Sequence, residues 1–143
     1  MLVKLKKKME SGFTLVEVLI VVVILGALAA IAIPTYLKYV ERGYSSDAKV
    51  TVQAILEASE IYYQESHKIA SDVEVLTEEG LLGLKRSILS KWDFTLALSE
   101  DPREGLIGTI TATSLPDMQA GEGKVLTYFL ERGKYKGYGQ KEK

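Results

Sequence analysis

Residues 4–34 read KLKKKMESGFTLVEVLIVVVILGALAAIAIP. Lys4, Lys6, Lys7 and Lys8 precede Gly12, and from Phe13 to Ile33 the chain is apolar apart from Thr14 and Glu17. At 1.5 Å per residue this is a helix of roughly 30 Å, the thickness of a bilayer's hydrocarbon core. All the positive charge lies on its N-terminal side, so the positive-inside tendency keeps that end in the cytoplasm and sends everything beyond Pro34 outward. Glu17 lies about one turn into the apolar run, where an unpaired charge costs roughly 2.5–3.5 kcal/mol and marks a functional pairing. The run contains no Lys or Arg. Its partner must therefore be the membrane interface, a proton, another chain, or a positive charge made by processing. A cut between Gly12 and Phe13 would place a new α-amino group four residues before Glu17, at helical spacing, and the same carboxylate could reach the amine of a neighbouring copy.

At GFTLVEV the sequence resembles a type IV prepilin or a type II secretion pseudopilin. The match consists of a basic leader ending in Gly12, Phe13 as first mature residue, Glu17 as the fifth, and an apolar helix with Pro34 near its outer end. The resemblance implies an α+β, pilin-like fold in which a long N-terminal helical spine packs on a small antiparallel sheet head. It also implies cleavage after Gly12 and N-methylation of Phe13 by a membrane prepilin peptidase/methylase. Mature subunits then stack into a homo-oligomeric filament with the help of inner-membrane pilus or secretion machinery. The expected domains are a removed leader (1–12), a membrane and filament-core helix (13–34) and an extracytoplasmic head (35–143). The expected location is a bacterial inner membrane, single-pass with N-terminus in, and then a surface pilus or periplasmic pseudopilus.

Two other readings fit parts of the stretch. Small residues Ala27, Ala29, Ala30 and Ala32 after an apolar run also suit a secretory signal peptide. A plain anchor for a membrane-tethered or secreted, non-polymerising binding domain suits the apolar run. Neither gives Gly12 and Phe13 a role or explains Glu17.

The 143 residues suit one modest domain. Formal net charge is −1, and removing four lysines and Glu10 with the leader leaves 14 basic against 18 acidic side chains. Such an acidic balance weighs against a nucleic-acid surface. There is no cysteine, so core burial and subunit packing must replace disulfides.

Beyond Pro34 helical periodicity resumes over residues 35–64, with Ala48, Val52, Ile55, Ala58 and Tyr62 on one face. One long helix is expected, bent or loosened at Gly26 and Pro34, with Gly43 as a further bend point. Tyr36 and Tyr39 suit an aromatic belt at the membrane boundary. Ser71 and Glu74 predict a capping box opening a short helix over residues 72–79, stopped by Gly80. A connector to Ser90 follows, its Leu81, Leu82, Leu84, Ile88 and Leu89 packing over the head. From Trp92 the period becomes two. Trp92, Phe94, Leu96 and Leu98 share one face of a first strand; Gly108, Ile110 and Ala112 alternate with threonines in a second. Residues 125–131 and 135–138 give a third and fourth, forming a meander against the helix. The lysine-rich end, 141–143, is expected to fray.

Catalytic residues are poorly represented. One histidine, His67, and no cysteine exclude an in-chain Cys/His nucleophile pair or a His/Cys zinc cluster. No nucleophile elbow, P-loop or dinucleotide fingerprint accompanies it, so no catalytic residue, cofactor or metal site is assigned. Glu100, Asp101 and Glu104, or Asp117 and Glu122, read as solvated turn acids rather than calcium ligands. Lys134, Lys136, Lys141 and Lys143 beside Tyr135 and Tyr138 offer a weak case for DNA contact.

Overall fold

The computed structural model describes residues 12–140. The leader before Gly12 and the end beyond Gln140 lie outside them. The described chain divides into two compact units, one up to Leu37 and one from Lys38. A helix, α1 (Leu15–Ser66), has its first part in the former and the rest in the latter.

In the first unit α1 is apolar on every side, and its side chains from Leu15 to Ile33 are almost all exposed. The helix is long and apolar enough to cross a membrane. It is continuous through Gly26 and Pro34. Proline has no N–H to give the carbonyl four residues back. One residue on, Thr35 Oγ1 donates to the Ile31 carbonyl at 2.9 Å, an extra bond beside the gap.

In the second unit α1 presents one stripe to a core. Ala48, Val52, Ile55 and Ala58 are buried, with Tyr62 at the margin, as the periodicity requires. Ser59, also buried, returns its hydroxyl to the Ile55 carbonyl at 2.7 Å, so a polar side chain enters the core without an orphaned donor. His67, at φ 53°, ends the helix, its N–H reaching the Tyr63 carbonyl.

A short helix, α2 (Val73–Glu78), follows. The cap is Asp72 rather than Ser71: Asp72 Oδ1 accepts from Val75 N at 3.0 Å, while Ser71 Oγ donates to Asp72 Oδ2 at 2.8 Å. A carboxylate one residue nearer the helix out-competes the hydroxyl because it also complements the positive end of the helix dipole. Gly80, at φ 72°, closes the other end. Its N–H reaches Thr77 O and the Leu81 N–H reaches Leu76 O, the double bond of a Schellman turn that only a left-handed residue permits. The expected connector contains a further turn, α3 (Arg86–Leu89). Leu81, Leu82, Leu84 and Ile88 pack on the core, but Leu89 points outward at 46% exposure, because a helical turn separates it from Ile88 by about 100°.

Four antiparallel strands complete the head in the order β1 (Trp92–Asp101), β2 (Gly105–Ser114), β3 (Val125–Phe129) and β4 (Lys134–Gly137). β3 ends two residues before the expected Glu131, and β4 starts one residue early, at Lys134. The β2–β3 register aligns Ile110 with Tyr128 and Ala112 with Leu126. Trp92, Phe94, Ile110, Ala112 and Leu126 thus fall on one buried face, which forms a single core with the α1 stripe. The opposite face carries Thr95, Thr111 and Thr127 in one row across three strands.

The chain's end returns to α1. Gly139 sits at φ 69°, and a Cβ there would collide with the Ser45 side chain and the Glu41 carbonyl. Tyr138, beside Trp92 with ring centroids 6.2 Å apart, closes the same corner. Its hydroxyl is pushed up chiefly by burial, with Glu41 adding to the effect.

Ile55→Ala should therefore lower unfolding stability by about 2–5 kcal/mol through the cavity it opens. Gly139→Ala should destabilise by its clash and its left-handed backbone together, whereas Gly83→Ala, where a Cβ meets no atom within 4 Å, should be near neutral. Urea titration of detergent-solubilised protein checks all three. Asp72 has its carboxyl held below the ordinary 3.8, first by the Val75 N–H and then by Ser71. A depressed folded pKa stabilises above the unfolded value, so this contribution is complete above about pH 3.8 and lost as pH falls through the lower folded pKa. Asp72→Asn should flatten that part of an acid-unfolding curve.

Candidate functional site

The first described residues, Gly12, Phe13 and Thr14, precede α1 and are exposed. Phe13 is 89% exposed. Thr14 and Glu17 form a reciprocal cap. Glu17 Oε2 accepts from the Thr14 N–H at 2.8 Å and from its hydroxyl at 2.8 Å, and Thr14 Oγ1 accepts from the Glu17 N–H at 3.2 Å. The first intrahelical bond, Val18 N to Thr14 O, follows at 3.2 Å. This is the arrangement by which a Thr-x-x-Glu sequence satisfies two of the free N–H groups at a helix start.

The acid in the apolar run thus has a partner within its own chain, one absent from the candidates drawn from charge alone. The sequence carried the signal, Thr14-Leu-Val-Glu17 immediately before an apolar run. Among the described residues the carboxylate's contacts all use Oε2, so within them Oε1 keeps its lone pairs for a further donor. Beside it lies an open groove lined by Phe13, Glu17, Val18, Ile20, Val21 and Val22, in which Glu17 is the single polar residue.

Gly26 and Pro34 are both exposed and stand about two and a half and about five turns beyond Glu17 along α1. They are not brought near the cap. Among the described residues a Cβ at Gly12 or at Gly26 would meet no atom within 4 Å, so their packing demands neither glycine.

The head's other candidates have structural employment. Asp101 Oδ1 accepts from the Arg103 and Glu104 N–H groups at 2.8 and 3.1 Å and so holds the β1–β2 turn. Among the described residues no three acids and histidines gather in metal-binding geometry. The Glu100 carboxylate instead acts on the Tyr63 hydroxyl and pushes its pKa up. Tyr135 faces inward, 4.7 Å from Tyr128 between ring centroids, and takes a hydrogen bond from Gln53 at 2.6 Å. Tyr135 and Tyr138 both pack against the core, so the aromatic component expected of a DNA-contacting strip is turned away from Lys134 and Lys136.

The family described as the prokaryotic N-terminal methylation motif matches residues 7–33. A fimbrial protein of Pseudomonas aeruginosa is 31% identical over 121 residues, covering 84% of this chain and 79% of that protein. The chain belongs to the type IV prepilin and pseudopilin family. The type IV major pilin protein PilA of Myxococcus xanthus is 39% identical over 74 residues, which are half of this chain and 34% of PilA. Core protein G of the type II secretion system of Pseudomonas aeruginosa is 34% identical over 80 residues, or 56% of this chain and 53% of that protein. The chain thus spans about a third to four fifths of the relatives it matches. Those relatives are structural pilin subunits, and the observed α+β architecture is that of a pilin.

In this prepilin the cap and the charge of Glu17 are separable. Glu17→Gln keeps an oxygen for the Thr14 N–H but has no charge, whereas Thr14→Ala keeps the charge and removes the hydroxyl. Thr14→Ala should cost about 1 kcal/mol of local helix stability, and Glu17→Gln less. Amide exchange at residues 14–18 in detergent micelles should show faster opening in Thr14→Ala than in Glu17→Gln.

Proposed function

We propose that this protein is a filament subunit, inserted N-in and C-out, cleaved after Gly12, methylated at Phe13 and polymerised through residues 13–34. The observation that carries it is the exposed, membrane-length helix that begins at Leu15 and is capped by Thr14 and Glu17, with Gly12 meeting no close neighbour and Glu17 Oε1 outside the cap among the described residues. A glycine that no internal contact requires suits a peptidase that must close on the scissile bond. Cleavage creates an ammonium at Phe13, and a cation at a helix N-terminus opposes the helix dipole. Glu17 offsets that repulsion within one subunit, and its Oε1 can accept from the Phe13 amine of the adjacent copy. In the low dielectric of packed apolar helices such a pair is strong enough to select axial register, while the helices' apolar contacts supply most of the cohesion.

Gly26 carries no side chain and Pro34 has no N–H to give, and bending at either would let α1 follow a packed filament core. The working partners are further copies of the chain, a prepilin peptidase/methylase and an inner-membrane assembly machine. Family membership does not favour a tethered, non-polymerising binding domain. No enzymatic role is proposed.

Mass spectrometry of the mature N-terminus, on membrane and sheared extracellular fractions, tests the reading. Methyl-Phe13 in assembled material is expected; a terminus near Ala30 or an intact Met1 would refute it. Glu17→Gln should be processed at Phe13 yet enter filaments at least tenfold less than wild type, and Thr14→Ala should enter them nearly normally. Equal incorporation of both would remove charge from the mechanism.

A further inference from the structure

The charges of the sheet are sorted by sign. β1 carries Asp93, Glu100 and Asp101 and no base; β4 carries Lys134 and Lys136 and no acid; β2 and β3 between them carry no charged residue. Strand order places β1 and β4 at opposite edges. Within the sheet's own strands, then, the acids lie at one edge, where α2 and α3 also pack, and the bases at the other, three strand spacings, about 14 Å, away. Asp93, Lys134 and Lys136 are exposed. Lys136 aligns with Thr127, which aligns with Thr111 and Thr95, and Asp93 is two residues from Thr95 on the same face. The two opposite charges thus lie on one face, in adjacent rows, at the two ends of the sheet.

Charge on an edge strand is a common protection against unwanted strand pairing. That purpose is served by either sign at either edge and does not require segregation. Segregation does something else: it makes the two edges complementary between copies and repulsive within like pairs. With four antiparallel strands the edges also run in opposite directions, so a second copy in the same orientation offers its β1 antiparallel to the first copy's β4. A contact of one surface with a different surface closes into a ring if its rotation closes and otherwise propagates into an open helical array, the form a filament needs.

We propose that heads of neighbouring subunits meet through the β1 edge of one copy and the β4 edge of the next, with Asp93 facing Lys136 and Lys134 across the contact. This rests on the filament reading and adds to it a second, polar contact set in the head. Attraction between partly exposed charges falls off over a Debye length of about 8 Å at physiological salt, so the contact steers and registers heads already brought close by their helices.

The absence of native cysteine permits a direct test. The two edges are too far apart for a bond within one chain, because a disulfide needs Cα atoms within about 7 Å. A full-length chain carrying Asp93→Cys and Lys136→Cys should, on mild oxidation in assembled material, give a ladder of dimers, trimers and higher species. Each single variant should remain monomeric. Dimers from a single variant would show like edges meeting and overturn the proposal. So would methyl-Phe13 filaments that assemble from the double variant without a ladder, which would leave the filament reading intact. Failure of wild type itself to assemble would overturn both. Charge reversal supplies an independent measure: Asp93→Lys, or Lys134→Glu with Lys136→Glu, should lower the sheared-to-membrane ratio of mature subunit at least tenfold. All three together should restore it to within threefold, and no restoration would also overturn the contact.

Discussion

A helix that is apolar on every side in its first part and apolar along one stripe in its second must be solvated by two different media. This constraint on α1 governs the rest of the molecule. From Leu15 to Ile33 there is no polar face to turn toward water, so lipid or other apolar helices must cover it. From Ala48 to Ala58 the stripe is covered by the chain's own sheet, which supplies Trp92, Phe94, Ile110, Ala112 and Leu126. The small residues of the stripe, Ala48 and Ala58, let the sheet approach, and the large ones, Val52 and Ile55, fill the space between.

How that helix begins follows from the same constraint. In hydrocarbon, the free N–H groups of a helix start have no water to bond. Thr14 and Glu17 answer this with a reciprocal cap made wholly from within the first turn. An acid in an apolar run is costly if considered as a lone charge, and much less so as an acceptor of two hydrogen bonds at the positive end of a helix. Among the described residues the cap engages only Oε2, which leaves Oε1 for the pairing proposed above.

Most of the architecture was legible in the sequence because its signals are periodic and long. The stripe at Ala48, Val52, Ile55 and Ala58 and the alternation from Trp92 to Leu98 each repeat over several turns or residues, so a single misleading side chain does not obscure them. What escaped was local competition. Ser71 and Asp72 are both good helix caps one residue apart, and the carboxylate's added pull on the helix dipole, invisible in a cap pattern, decides between them. Arg86–Leu89 is too short to show a period, and Leu89 was assigned inward with its leucine neighbours because a single turn carries no phase. Glu17 carries two signals at once, a costly charge in an apolar run and the last position of a Thr-x-x-Glu cap, and the charge masks the cap. Gly139 gave no sign, because its requirement comes from Ser45, nearly a hundred positions away.

The chain has no cysteine, yet its C-terminal end must be kept on the head if β4 is to remain an edge. It does so by a close backbone approach instead of a covalent bond. Gly139 lets the strand end run against Ser45 and Glu41, Tyr138 N–H bonds the Val125 carbonyl at 2.8 Å, and Tyr135 is tied to α1 through Gln53. These contacts hold Lys134 and Lys136 on the outer face by holding Tyr135 between them on the inner one. The position of the basic edge is therefore a consequence of the core: with a strand's period of two, burying one tyrosine against α1 determines where both flanking lysines point.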